Sequence, residues 1–244
     1  MNFAKAGRHL LGAIAVLAIL LSLLSCEKRN PTPSGSGGLF PDTPGVLKTY
    51  LALGDSYTIG TSVITDQRFP IQAAIQLTQQ GVQFKQPDIV ATNGWTTGNL
   101  LSALSATSPT GTYDIVTLLI GVNNQYQGRT QAEYRTQFAE LLNKAIGYAG
   151  GIRTRVIVLS IPDYSVTAFA QNSDTARISR EINEFNAINK EVSISLAVHY
   201  LNITDISREA RYDATLIASD GLHPSGKQYA RWVTRLTPII RAAL

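Results

Sequence analysis

Four short stretches of this chain hold side chains whose chemistry is complementary. Ser56 stands in Gly54-Asp55-Ser56-Tyr57, directly after an apolar run, where a hydroxyl can be presented at the end of a strand. It lacks the second flanking glycine of a Gly-x-Ser-x-Gly elbow, so it is a different turn. Alone, Gly-Asp-Ser equally suits a glycine turn with a helix-capping serine. His223 stands in Asp220-Gly221-Leu222-His223-Pro224. An aspartate three residues before a histidine in one loop can bond one imidazole nitrogen and leave the other as a proton acceptor. That arrangement fixes the tautomer and stabilises the imidazolium as it forms. The same residues also have the composition of a turn, since Asp-Gly and His-Pro are turn dipeptides. His199 lies in a strand-like apolar run and is assigned to structure instead.

The other two stretches offer donors. Gly121-Val122-Asn123-Asn124 follows the most apolar run of the chain, and the Asn123 amide there can donate to an oxygen at a sheet edge. Asn93-Gly94-Trp95-Thr96-Thr97-Gly98 follows another short apolar run, and a glycine allows its backbone N–H to approach a ligand closely. Each stretch alone also describes an ordinary turn. Together they supply the nucleophile, general base, base orienter and oxyanion donors of acyl transfer.

Such residues converge only if a scaffold brings them together. Short apolar runs at 49–53, 89–92, 114–120, 155–161 and 198–203 predict strands. The run Ile115-Val116-Thr117-Leu118-Leu119-Ile120 has the near-continuous apolar character of a parallel strand covered on both faces. Helical patterns at 69–80, 100–104, 130–146, 174–197 and from 225 onward fall between or after them. Thr130-Gln131-Ala132-Glu133 and Ser225-Gly226-Lys227-Gln228 have the form of capping boxes. Repeated strand–helix alternation predicts an open parallel sheet with helices on both faces. In such sheets ligands bind at the carboxyl ends of the strands, so all four stretches are expected just after strands.

With order and spacing in view, residues 46–244 resemble the SGNH hydrolases, also called GDSL esterases and lipases. Gly54 to Tyr57 is similar to the first block of that family, with Tyr57 where the name motif has leucine. Gly121 to Asn124 is similar to the third, with Asn124 in place of the usual aspartate, and Asp220 to His223 matches the Asp-x-x-His block. In the second block Gly98 fits the usual place of the glycine best, and Gly94 is its rival. The resemblance implies an α/β fold, a three-layer α/β/α sandwich of flavodoxin-like type with a five-stranded parallel sheet. It also implies ester hydrolysis with no metal and no organic cofactor. No phosphate-loop motif and no His-x-x-x-His pair is present in the sequence. On this reading Ser56 attacks an ester carbonyl, His223 takes its proton and Asp220 orients His223. The Ser56 and Gly98 backbone N–H groups and the Asn123 amide hold the oxyanion, and Asp55 braces the loop.

The family spans carbohydrate esterases, lipases, lysophospholipases and thioesterases. Trp95, Tyr126, Arg129 and Tyr164 lie in or near the expected edge loops. Aromatics there suit stacking on a sugar, and Arg129 suits an acidic group. No long apolar lid segment follows the motifs, which favours short acyl esters of carbohydrates over long-chain lipids. The alternatives are a lysophospholipase or lipase, and a lipid-anchored glycan-binding protein that keeps the fold without turnover.

The N-terminus carries a different message. Lys5 and Arg8 precede fifteen uncharged residues, Leu10 to Leu24, about 22 Å long as a helix and short of the roughly 30 Å membrane core. This is the pattern of an export signal. The run ends Leu23-Leu24-Ser25-Cys26, which resembles the lipobox of bacterial lipoproteins, and Cys26 is the single cysteine of the chain. Residues 1–25 are thus expected to be a lipoprotein signal, with Cys26 lipidated. An uncleaved anchor or a plain secretory signal are the alternatives, and either still exports the domain. Residues 26–45, with Pro31, Pro33, Gly35, Gly37 and Gly38, read as a flexible tether. The expected location is a bacterial membrane, facing the periplasm or the cell surface and most naturally on the outer membrane.

Composition narrows the remaining classes. One cysteine rules out an intrachain disulfide framework and any multi-cysteine metal site. The net charge of +4 includes Lys5 and Arg8, and the remaining basic residues are interspersed with acids. No basic ladder for nucleic acid is present, so no nucleic-acid partner is expected.

Overall fold

The computed structural model describes Phe40 and residues 46–244. The expected signal segment, the Cys26 lipidation site and most of the tether lie outside the described residues. Five strands, β1 (Tyr50–Gly54), β2 (Asp88–Ala91), β3 (Ile115–Leu119), β4 (Val156–Leu159) and β5 (His199–Leu201), form one sheet in the order β2-β1-β3-β4-β5. All four pairings are parallel. Every residue of β1, β3 and β4 is buried, which is why their sequences are nearly continuous apolar runs rather than alternating ones. The one polar side chain on β3, Thr117, hydrogen-bonds the Tyr50 hydroxyl at 3.1 Å, so its burial leaves no unmet group.

Parallel neighbours need long crossovers, and helices supply them. α1 (Ser56–Ile59) is a single turn after β1, followed by α2 (Phe69–Gln79). α3 (Thr97–Ala106) follows β2, and α4 (Val122–Tyr126) and α5 (Gln131–Tyr148) follow β3. α6 (Thr175–Ser195) precedes β5, and α7 (Thr204–Arg208) and α8 (Gly226–Ala243) follow it. α2 packs on α8, while α3 packs on α5 and α5 on α6. The sheet lies between these two helical groups, which is the expected three-layer α/β/α arrangement. Trp232, Tyr229 and Phe69, all fully buried, join α8 to α2 with ring centroids 4.9–6.2 Å apart.

Two expectations need correction. The helix expected at 100–104 begins at Thr97, because Thr96 and Asn99 form a reciprocal cap: the Thr96 hydroxyl accepts the Asn99 N–H, and Asn99 Oδ1 accepts the Thr96 N–H at 3.0 Å. Gly98 therefore lies in a helical turn rather than in a loop. The stretch 220–223 does not directly follow a strand. α7 and two short 3₁₀ turns, Glu209–Arg211 and Ala214–Leu216, separate it from β5. An antiparallel bridge between Ile217 and Pro224 closes the turn that carries it.

Candidate active site

The chain reverses the order of its strands beside β1, with β2 on one side and β3 on the other. The loops leaving β1 and β3 therefore diverge to opposite faces around a crevice. Ser56 enters it as the first residue of α1. Asp55 caps that turn through Oδ1, which accepts the Tyr57 N–H at 3.0 Å. Gly60, at φ 72°, closes it by donating to the Ser56 carbonyl at 3.1 Å. A Cβ at Gly54 would collide with the Thr58 side chain and the Leu119 carbonyl, so the strand can turn this tightly only from a glycine. Ser56 lies at the N-terminus of the turn, and its N–H has no acceptor among the described residues.

His223 comes to the same crevice from the other end of the chain. Asp220 Oδ1 accepts the Leu222 and His223 N–H groups at 3.0 and 2.9 Å, and its Oδ2 lies 2.6 Å from His223 Nδ1. That contact assigns the Nδ1 proton to the Asp220 bond and leaves Nε2 as the proton acceptor. The imidazole is packed edge-on against the Tyr57 ring, centroids 5.6 Å apart. Tyr57 is itself held by α8, whose Tyr229 hydroxyl donates to the Tyr57 carbonyl at 2.9 Å. Ser56 and His223 line one pocket of about 190 Å³, together with Gly94, Asn123, Tyr126 and Phe169 among others. No hydrogen bond joins the Ser56 hydroxyl to the imidazole in this structure. Catalytic bonds of this kind commonly tighten only around a substrate.

Asp220 has a partner that the sequence did not suggest. The Ser62 hydroxyl donates to Asp220 Oδ2 at 2.7 Å, across 158 residues of chain. Ser62 is one of two non-glycine residues at positive φ among the described residues, at 65°. Such a backbone is unfavourable for serine and persists where surrounding contacts hold it. Burial alone would raise the Asp220 carboxyl, but hydrogen bonds from Ser62, the Leu222 N–H and His223 outweigh it and hold the group well below the usual carboxylate range. Neighbouring Thr61 donates to Asn93 Oδ1 at 2.5 Å, so one turn ties the Ser56, Asn93 and Asp220 loops together. A positive-φ serine cannot be read from one sequence, and no local motif announces a contact so distant.

Asn123 lines the pocket from α4 and donates one amide hydrogen to the Trp95 carbonyl at 3.0 Å. Its second amide hydrogen remains available. Asn124 turns the other way, is fully buried and grips α3: Oδ1 accepts the Thr97 N–H at 3.0 Å, and Nδ2 donates to the Thr97 hydroxyl at 2.8 Å. The Thr97 hydroxyl in turn donates to Gln137 Oε1 at 2.6 Å. Asparagine suits this position because it both donates and accepts. Gly94, at φ 78°, is among the residues lining the pocket and Gly98 is not. Gly98 is the second residue of α3, with its Cα facing Gln137. Neither glycine N–H has an acceptor among the described residues.

Asp55 is 1% exposed, and its Oδ2 has no hydrogen-bond partner. Burial pushes the carboxyl up to about 7, while the backbone N–H groups of Tyr57 and Gly121 pull the other way. Among the described residues no cluster of three His, Cys, Asp or Glu side chains is arranged to hold a metal ion.

Residues 52–231, which include all of these groups, match the model of the GDSL-like lipase/acylhydrolase family. The chain belongs to that family. As a GDSL-like hydrolase it is an enzyme that cleaves carboxylic esters. Solved structures with the same fold include TesA, at TM-score 0.65 and 18% identity over 81% of this chain and all of that one. The acetylxylan esterase Axe2 from Geobacillus stearothermophilus gives 0.59 and 16% over 79% of this chain and 94% of that one. The carbohydrate acetylesterase Est24 from Sinorhizobium meliloti gives 0.55 and 19% over 81% and 100%. No curated protein matches the chain.

Proposed function

We propose that this GDSL-like hydrolase removes short acyl groups from carbohydrate esters through a Ser56-His223-Asp220 triad. The observation that carries the reading is the 2.6 Å Asp220–His223 contact in a pocket that also holds Ser56. His223 Nε2 takes the Ser56 proton as Oγ attacks the ester carbonyl. Asp220 orients the imidazole and stabilises its charged form. His223 then protonates the departing alcohol, and water repeats the sequence on the acyl-enzyme.

The oxyanion is held by the Ser56 and Gly98 N–H groups and the second Asn123 amide hydrogen. Gly98 is preferred to Gly94 because its N–H is fixed in the first turn of α3. The preceding N–H, that of Thr97, is pinned by Asn124, next in sequence to Asn123. Donors held this way cost no reorganisation during reaction. Asn123→Ala is expected to lower kcat on the order of 100–1000-fold.

A pocket of about 190 Å³ suits a short acyl group better than a long chain. The likeness to an acetylxylan esterase and a carbohydrate acetylesterase points to acetylated glycans. The lipobox-like Leu23-Leu24-Ser25-Cys26 supports anchoring of the exported enzyme to a bacterial membrane through lipidated Cys26. A globomycin-sensitive shift in precursor size would test that anchoring, and insensitivity would count against it.

The deciding experiment is hydrolysis of p-nitrophenyl acetate and longer homologues by wild type and Ser56→Ala. Turnover that falls with chain length and disappears in the variant is the expected result. Turnover that survives in Ser56→Ala would end the proposed mechanism.

A further inference from the structure

Beside the catalytic pocket lies a second hollow of about 440 Å³, and Tyr126, Tyr164 and Phe169 line both. The three rings contact one another, with centroids 6.0–6.3 Å apart. Tyr164 is buried and donates its hydroxyl to Gln125 Oε1 at 3.0 Å, whereas Tyr126 and Phe169 are 59% and 50% exposed. The rings thus form a ridge rooted in the core, with open aromatic surface along its crest. The ridge is fixed to the catalytic loop, because the Phe169 N–H donates to the Gly221 carbonyl at 3.1 Å.

The far side of the ridge is polar. Arg129, Arg177, Glu181 and Glu184 line it, two cations and two carboxylates. Arg177 pairs with Glu181 at 3.2 Å, and the other Glu181 oxygen accepts Gln125 Nε2 at 2.7 Å. Glu184 accepts Gln131 Nε2 through one oxygen at 2.7 Å. Its other oxygen and the Arg129 guanidinium have no partner among the described residues. The free groups are therefore a fork of donors and an acceptor, beside aromatic rings.

This inventory selects a ligand class. A hydrocarbon chain would desolvate Arg129 and Glu184 without replacing their hydrogen bonds. An anionic headgroup gains nothing from a lining whose charges cancel. Hydroxyls both donate and accept, so a polyol satisfies Arg129 and Glu184 together while its C–H faces lie on Tyr126 and Phe169. We infer that this hollow is the subsite for the alcohol side of the ester, and that the alcohol is a neutral glycoside reaching across the Tyr126–Phe169 ridge from Ser56. The inference rests on the reading of Ser56 as nucleophile and adds to it the residues that select the substrate.

Two measurements test it. The first is kcat/KM on an acetylated xylo-oligosaccharide divided by that on p-nitrophenyl acetate, for wild type, Arg129→Ala and Glu184→Ala. Both residues reach the surface and line only the second hollow. The ratio is expected to fall about tenfold or more in each variant, carried mainly by KM, the size expected for a lost bond to a charged group. The second is calorimetric binding of the same oligosaccharide to Ser56→Ala, expected to weaken about tenfold when either substitution is added. An unchanged ratio together with unchanged binding would overturn the subsite. So would a preference for lysophosphatidylcholine that depends on Arg129. Failure of wild type on every ester, with no fluorophosphonate labelling of Ser56, would instead remove the nucleophile, and the calorimetric arm would still decide the subsite.

Discussion

Residues that act through others are the hardest to see in a sequence. The meeting of Ser56 and His223 in one pocket, and the Asp220–His223 contact, were legible because the types and order of these residues suit acyl-transfer chemistry and the loop between Asp220 and His223 is too short to hide their relation. Ser62 was not, because its relation to Asp220 exists only once residues 158 apart in the chain meet. Its hydroxyl shares Asp220 Oδ2 with the imidazole, so it sets both the position and the charge of that carboxylate. Ser62→Ala is expected to lower kcat/KM on p-nitrophenyl acetate about tenfold, the worth of one hydrogen bond to a charged group. Ser62→Gly relieves the positive φ but lacks the hydroxyl, and should lose the same activity. Recovery of wild-type rates in the glycine variant would show that backbone strain, not the hydroxyl, matters here.

At the scale of elements, the strands were legible where burial on both faces made them continuous, as at 115–119. Helices were legible where length allowed periodicity, as in α5 and α6. The start of α3 was misplaced because its first turn, Thr97-Gly98-Asn99, has no apolar stripe and is held by the Thr96–Asn99 cap. α4 was missed because five residues show no period. These two elements meet at Asn124, whose amide both accepts from and donates to Thr97. Asn124→Asp places a carboxylate at a fully buried site and removes the donor to Thr97. A loss of roughly 1–3 kcal/mol is expected, since one buried hydroxyl loses its donor. Urea denaturation would measure it, and the loss should be larger at pH 8 than at pH 4. An unchanged midpoint would mean that Gln137 and Thr97 rearrange to supply a donor.

For the molecule as a whole, the cap that Asp55 supplies and the burial of its charge act on stability in opposite directions. Its carboxyl caps the catalytic turn yet sits where solvent cannot reach it. The folded value of about 7 lies above the unfolded carboxylate value near 4. The fold therefore holds this proton more tightly than the unfolded chain does. That stabilisation is complete in acid and is lost as pH rises from about 4 towards 7. Asp55→Asn keeps the Oδ1 cap without the charge, and its Tm relative to wild type is expected to rise between pH 5 and pH 8. A constant difference across that range would show that Asp55 stays ionised in the fold.

The distance in sequence between Ser62 and Asp220 also has a consequence in time. The proposed nucleophile, glycine and amide donors all precede residue 125, while the proposed base and its orienter come near the C-terminus. At a synthesis rate of 5–20 residues per second, roughly 5–20 s pass between the two halves. A nascent or prematurely ended chain can hold most of the sheet and still have no proton acceptor. On the proposed mechanism esterase activity therefore appears only once the Asp220–His223 turn has been made, and its appearance times the closing of that turn before α8.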